Sequence, residues 1–103
     1  MQQLIQEKVN VLAVFRGFKD KGEQGHTDRA HKRIEPYRIK RNNGDVYKIT
    51  EIRNSYIARK GSNLHIHYIV KTKEERYFDL VFDSGKLVWI ILYEFDGFFL
   101  NPK

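Results

Sequence analysis

The run Ile66-His67-Tyr68-Ile69-Val70-Lys71-Thr72-Lys73-Glu74-Glu75-Arg76-Tyr77-Phe78-Asp79-Leu80-Val81-Phe82-Asp83-Ser84-Gly85-Lys86-Leu87-Val88-Trp89-Ile90-Ile91 decides the fold. β-Branched and aromatic residues alternate with polar ones, and two short polar clusters break the alternation, which is the pattern of three antiparallel strands joined by hairpin turns. A loop at Lys73-Glu74-Glu75 sets Val70 against Phe78, Tyr68 against Leu80 and Ile66 against Phe82. Closing the second turn with Asp83-Ser84-Gly85-Lys86 sets Phe82 against Leu87, Leu80 against Trp89 and Phe78 against Ile91. Side chains alternate between the faces of a strand, so the core face is Ile66, Tyr68, Val70, Phe78, Leu80, Phe82, Leu87, Trp89 and Ile91. The reverse face is also partly apolar, with Val81 beside Val88 and Tyr77 beside Leu92. It needs a cover: a sheet curling into a barrel, Phe98-Phe99-Leu100 folding back, or a second copy of the chain.

Upstream, Asn42-Asn43-Gly44 reads as a three-residue turn with Gly44 in the left-handed conformation. Ile39 then faces Tyr47 and Tyr37 faces Ile49, while Arg38 meets Lys48 and Lys40 meets Val46 on the other side. A two-residue Asn43-Gly44 turn would pair Ile39 with Lys48 and mix the faces. Residues 54–63 read as a linking stretch with a short strand at Tyr56 to Arg59, ending in a turn. Val9 to Arg16 reads as a first strand, nearly continuous in apolar character and so covered on both faces. Helical character is confined to a turn or two around Gln2 to Lys8. Residues 17–33 hold three glycines, many charges and no apolar period, and form a long basic loop. The expectation is one all-β, mainly antiparallel domain over residues 1–103: a curled sheet or small barrel of five to six strands with a short N-terminal segment.

Apolar residues make up 41% of the chain, enough for a core and too many for a disordered segment. Cysteine is absent, which removes disulfides, thiol chemistry and Cys-ligated metals. The N-terminal residues lack the pattern of a signal peptide, and a cytoplasmic location is expected. The net charge of +6 is uneven: residues 1–60 carry fourteen Lys/Arg against seven Asp/Glu, and residues 61–103 carry five against six. A basic first half points to a polyanion, nucleic acid before membrane, because no amphipathic helix sets the charge beside an apolar face.

Side chains that could carry chemistry each have a plainer explanation. His65 and His67 share a face, and His65 lies across from Asp83, so two imidazoles and a carboxylate could hold a metal. His-x-His on a half-exposed strand is more simply a polar face, and no metal or cofactor is expected. His26, His31 and Asp28 match no ligand spacing. Ser55, Ser62 and Ser84 sit in linkers and turns, away from any nucleophile elbow, and no phosphate-binding glycine loop is present. No enzymatic activity is expected.

What remains is a basic cluster, Arg29, Lys32, Arg33, Arg38, Lys40 and Arg41 against the single acid Glu35, with Lys48 joined to it by the hairpin register and Arg59-Lys60 near it. Each phosphate neutralised by such a stripe releases counterions and adds affinity. Tyr37 and Tyr47 fall on the apolar side of the hairpin, which makes them core residues and leaves Tyr56 and Phe18 as the exposed aromatics. Two accounts of the cluster stand side by side: contact with a nucleic-acid backbone, or a charged edge strand that blocks aggregation.

The order Pro36-Tyr37-Arg38-Ile39-Lys40-Arg41, Val46-Tyr47-Lys48-Ile49-Thr50-Glu51-Ile52 and Arg76-Tyr77-Phe78-Asp79-Leu80-Val81-Phe82-Asp83-Ser84-Gly85-Lys86 resembles a family of small uncharacterised bacterial β-domains, over roughly the last two-thirds of the chain. Some of those domains occur beside or within lesion-bypass polymerase-like proteins. The resemblance implies nucleic-acid-associated work and assigns no residue a role. The expected function is thus an accessory module that contacts nucleic-acid phosphates through Arg29, Lys32, Arg33, Arg38, Lys40, Arg41 and Lys48. The alternative is a protein-interaction or self-associating domain that uses the apolar face around Tyr77, Val81, Val88 and Leu92, with a homodimer as one outcome.

Overall fold

The computed structural model describes residues 2–15 and 34–96, most of which lie in six strands: β1 (Gln2–Phe15), β2 (Ile34–Lys40), β3 (Val46–Lys60), β4 (Asn63–Thr72), β5 (Tyr77–Asp83) and β6 (Val88–Phe95). Each neighbouring pair is antiparallel, and β6 returns to β1, so the strands close into a barrel in sequence order. The curled all-β architecture expected from the alternating pattern is the one that forms. No helix among the described residues is long and apolar enough to cross a membrane.

Closure depends on β1, which serves two neighbours. Gln2 to Val9 pair with β6 and Asn10 to Phe15 pair with β2. The helical turn expected around Gln2 to Lys8 is therefore absent, and the segment is strand. A helix of one or two turns is marginal in water, whereas here the backbone finds partners on β6 and Ile5 packs against the core. Between Leu4 and Glu7 the pairing shifts, and Gln6 takes up the irregularity with φ 53°. Leu12 and Val14 are exposed, so β1 is covered on one face only.

The barrel interior holds Val9, Ile39, Tyr47, Ile49, Ile66, Tyr68, Val70, Phe78, Leu80, Phe82, Trp89 and Ile91. Rings supply much of its volume. Trp89 lies 4.8 Å from Phe82 and 5.9 Å from Tyr68 by ring centroid, and Tyr47 lies 5.5 Å from Phe78. Burial pushes the Tyr68 hydroxyl well above the usual phenol range.

The β4–β5 register is the expected one, including Val70 with Phe78, Tyr68 with Leu80 and His65 with Asp83. The β2–β3 turn also forms as expected: the Arg41 amide donates to the Asp45 carbonyl at 2.8 Å around Asn42-Asn43-Gly44, and Gly44 has φ 97°. Two segments differ. In the linking stretch at 54–63 the short strand expected at Tyr56 to Arg59 and the closing turn, at Gly61-Ser62, both form, but the strand is the far half of β3, paired along β4 from Asn54 to Lys60, with a register shift between Ile52 and Asn54. The β5–β6 turn is longer than expected, because the Asp83 carboxylate accepts the amides of Gly85 (2.9 Å) and Lys86 (3.1 Å) and the Asp83 carbonyl accepts the Leu87 amide (2.7 Å). Phe82 consequently meets Trp89, and Leu80 meets Ile91. Leu87 is not in the core: it sits in the turn, 74% exposed, with φ 58°. The displacement at Phe82 is two residues, so Trp89 and Ile91 keep their inward face.

Candidate nucleic-acid interface

On the outside of the barrel, β1, β2 and β3 lie side by side, and their outward residues form two cross-strand rows. One row is Leu12, Arg38 and Lys48, and the next is Asn10, Lys40 and Val46. All six are exposed. Residues two apart on a strand are separated by about 6.6 Å and neighbouring strands by about 4.8 Å, so Arg38, Lys40 and Lys48 concentrate three cations in a small area. None of the three pairs with a carboxylate among the described residues. A depression of about 340 Å³ opens between Ile34 and Ile52, where β2 and β3 diverge, and one of about 330 Å³ lies within the cationic patch, lined by Asn10, Val11, Leu12, Arg38, Lys40 and Val46.

The patch also contains an aromatic ring that alternation alone assigns to the core. Leu12 pairs with Arg38, but the next pair is Ala13 with Pro36, so Tyr37 is an extra residue on β2. Such a bulge reverses the alternation beyond it. Ile39 and Pro36 are buried while Arg38 and Tyr37 both point outward, and Tyr37 is 44% exposed. The signal was Pro36. Proline cannot donate to a ladder and within sheets is confined to edges, strand starts and bulges. Tyr47, in contrast, is buried as expected, and its hydroxyl accepts a hydrogen bond from Arg76 Nη1 at 2.7 Å.

Arg41 leaves the patch. Its guanidinium turns to Glu7 on β1, with Nη2 to Oε1 at 2.6 Å and Nε to Oε1 at 3.1 Å, and the Asn42 amide donates to Glu7 Oε2. The Arg41 hydrogen bond, helped by the Asn42 amide, holds the Glu7 carboxyl below its ordinary range. Arg41 thus ties the β2–β3 turn to β1 and is not poised to meet phosphate. Arg59 and Lys60 lie at the opposite end of β3 from Lys48, so they do not extend the patch. Arg29, Lys32 and Arg33, the 17–33 loop, Phe18 and Phe98-Phe99-Leu100 lie outside the described residues.

The two histidines on β4 carry ordered partners. His67 Nδ1 lies 3.0 and 3.1 Å from the two carboxylate oxygens of Asp79, and its ring stacks on Tyr56 at 4.6 Å with the planes 8° apart. His65 Nε2 lies 3.3 Å from Asp83 Oδ2. Burial alone would raise the Asp83 carboxyl, but the amides of Lys86 and Gly85, with the charges of His65 and Lys86, outweigh it and hold the group below its ordinary range. The two imidazoles border a groove of about 360 Å³ with Lys8, Lys60, Val81 and Ile90. No cluster of three metal-ligating side chains occurs among the described residues.

On the face expected to serve self-association, Val81 and Leu92 line that same groove. Val81 is 3% exposed, and Tyr77, Val88 and Leu92 are half-buried. Comparison with known proteins adds no assignment: no family model, no curated protein and no solved structure matches this chain.

Proposed function

We propose that this barrel binds the phosphate backbone of nucleic acid through Arg38, Lys40 and Lys48 on the outer face of β2 and β3. One observation carries the reading: the three cations are neighbours on strands that are paired on both sides, without a carboxylate partner among the described residues. Cations directly opposite each other weaken a strand pair, so the fold gains nothing from Arg38 across from Lys48. The competing account, charge as protection of a sheet edge, needs an unpaired edge. Arg38 and Lys40 sit where β2 is bonded to β1 on one side and to β3 on the other, which removes that need. Attraction to an external polyanion accounts for the arrangement.

The reading assigns binding and no catalytic step, and it sets the domain in the cytoplasm as an accessory to nucleic-acid-handling machinery, in keeping with the resemblance drawn from its hairpins. The test is fluorescence-anisotropy titration of labelled oligonucleotides across a range of salt. Three phosphate contacts predict that log K falls against log salt with a slope between about −2 and −3. Replacing Lys40 and Lys48 by Glu should abolish binding at moderate salt. Full retention of affinity in that variant rejects the site.

A further inference from the structure

We infer that the strand this surface takes is single, and that Tyr37 is the platform on which one of its bases stacks. The inference rests on the phosphate-binding reading above and adds a substrate class and a base-contacting residue to it. Its observation is independent of the charge: the bulge opposite Leu12 and Ala13 turns the Tyr37 ring outward next to Arg38, where regular alternation would have buried it.

The fold does not need the ring there. Pro36 fills the interior position that the bulge frees, and it is fully buried. An exposed tyrosine beside three cations combines the two parts of a single-strand site, a charged track for the backbone and a π-face for a base. The neighbouring depression supplies further apolar surface from Leu12 and Val46, flanked by Arg38 and Lys40.

A duplex cannot use these features together. Its bases are stacked on one another, so their faces are closed to Tyr37, and the surface would meet only phosphate and sugar. A single strand presents its phosphates to Arg38, Lys40 and Lys48 and turns a base onto the ring. The ring itself selects no base, because every base has a π-face.

The experiment is a competition between a labelled oligothymidylate of about twenty nucleotides and an unlabelled mixed-sequence duplex of equal length, for the wild-type chain, Tyr37→Ala, Tyr37→Trp and the Lys40→Glu/Lys48→Glu variant. The single strand should bind the wild type more tightly than the duplex. Tyr37→Ala should lose about 5- to 150-fold for the single strand, from the 1–3 kcal/mol of a stacked base, and leave duplex binding unchanged. Tyr37→Trp should restore binding, with its indole emission quenched by the strand. A preference for duplex, or a Tyr37→Ala variant that binds single strand as well as wild type while the charge-reversed variant does not, overturns this inference and leaves the phosphate reading standing. Absence of salt-sensitive binding to either probe overturns both.

Discussion

Arg38 on β2 lies directly across the ladder from Lys48 on β3, cation facing cation, in a barrel where both strands are already paired on their other sides. Repulsion of this kind lowers the stability of a strand pair by a fraction of a kcal/mol to about 1 kcal/mol. Relieving it should therefore stabilise the protein while removing a phosphate contact. Lys48→Glu is expected to raise the unfolding free energy by about 0.2–1 kcal/mol, seen as a higher thermal midpoint, and to weaken oligonucleotide binding in the same preparation. A lower midpoint would mean that Lys48 has a structural partner.

Leu87 stands in a left-handed conformation with its side chain in solvent. That conformation costs a residue bearing a Cβ roughly 1–2 kcal/mol, and glycine avoids the cost but gives part of it back as unfolded-state entropy. Leu87→Gly is expected to stabilise the barrel by about 0.5–1 kcal/mol. Chemical denaturation of the two proteins decides the sign. A destabilised variant would show that Leu87 makes a packing contribution its exposure conceals.

Ile91 is fully buried between Leu80 and the rest of the core. Ile91→Ala removes methylene and methyl groups from a closed barrel that cannot easily collapse around the gap, with an expected loss of about 2–5 kcal/mol. The corresponding change at Val14, exposed on β1, should cost no more than about 0.5 kcal/mol. Equal losses at the two positions would contradict the assignment of inside and outside.

Acid should loosen the tie between Glu7 and Arg41. The folded-state carboxyl of Glu7 is held below the ordinary value of 4.5, chiefly by the Arg41 hydrogen bond. A carboxyl depressed in this way adds stability above its unfolded pKa and loses it as pH falls through the folded one. Glu7→Gln is therefore expected to be less stable than wild type at neutral pH, by at most about 1 kcal/mol for a pair partly open to water, and the gap should close below the folded pKa. Melting curves from pH 7 to pH 3 check this, and a gap that persists unchanged in acid would contradict it.

Much of the barrel was legible because turn length and alternation together fix a register. Gly44 gave the pairing of Ile39 with Tyr47, and the polar Lys73-Glu74-Glu75 cluster gave Val70 with Phe78. Where a side chain changed the turn, the reading slipped. Asp83 caps a longer turn with its own carboxylate, and no composition rule distinguishes that from a shorter hairpin; the two-residue slip nevertheless preserved the inward face.

The site was legible in its charges and less so in their surroundings. Arg38, Lys40 and Lys48 followed from the hairpin, but a positive charge does not announce its partner, and Arg41 finds Glu7 from 34 positions away. Tyr37 was assigned to the core because the hairpin register was extended from Ile39 with Tyr47 to Tyr37 with Ile49, into the bulge that lies between Arg38 and Pro36. The His67–Asp79 contact was hidden for a different reason. His67 lies directly opposite Val81 and Asp79 opposite Ile69, so the pair is diagonal and no directly opposed register reveals it.

The most direct test of the account is to locate the contact, by following backbone amide resonances of the isotopically labelled chain as an unlabelled single-stranded oligonucleotide is added at low salt. The account predicts shifts concentrated at residues 10–14, 37–40 and 46–48, on the outer face of β1, β2 and β3, and reversed when salt is raised. Shifts centred instead on the groove bordered by His65, His67 and Lys60, or none at saturating oligonucleotide, would contradict it.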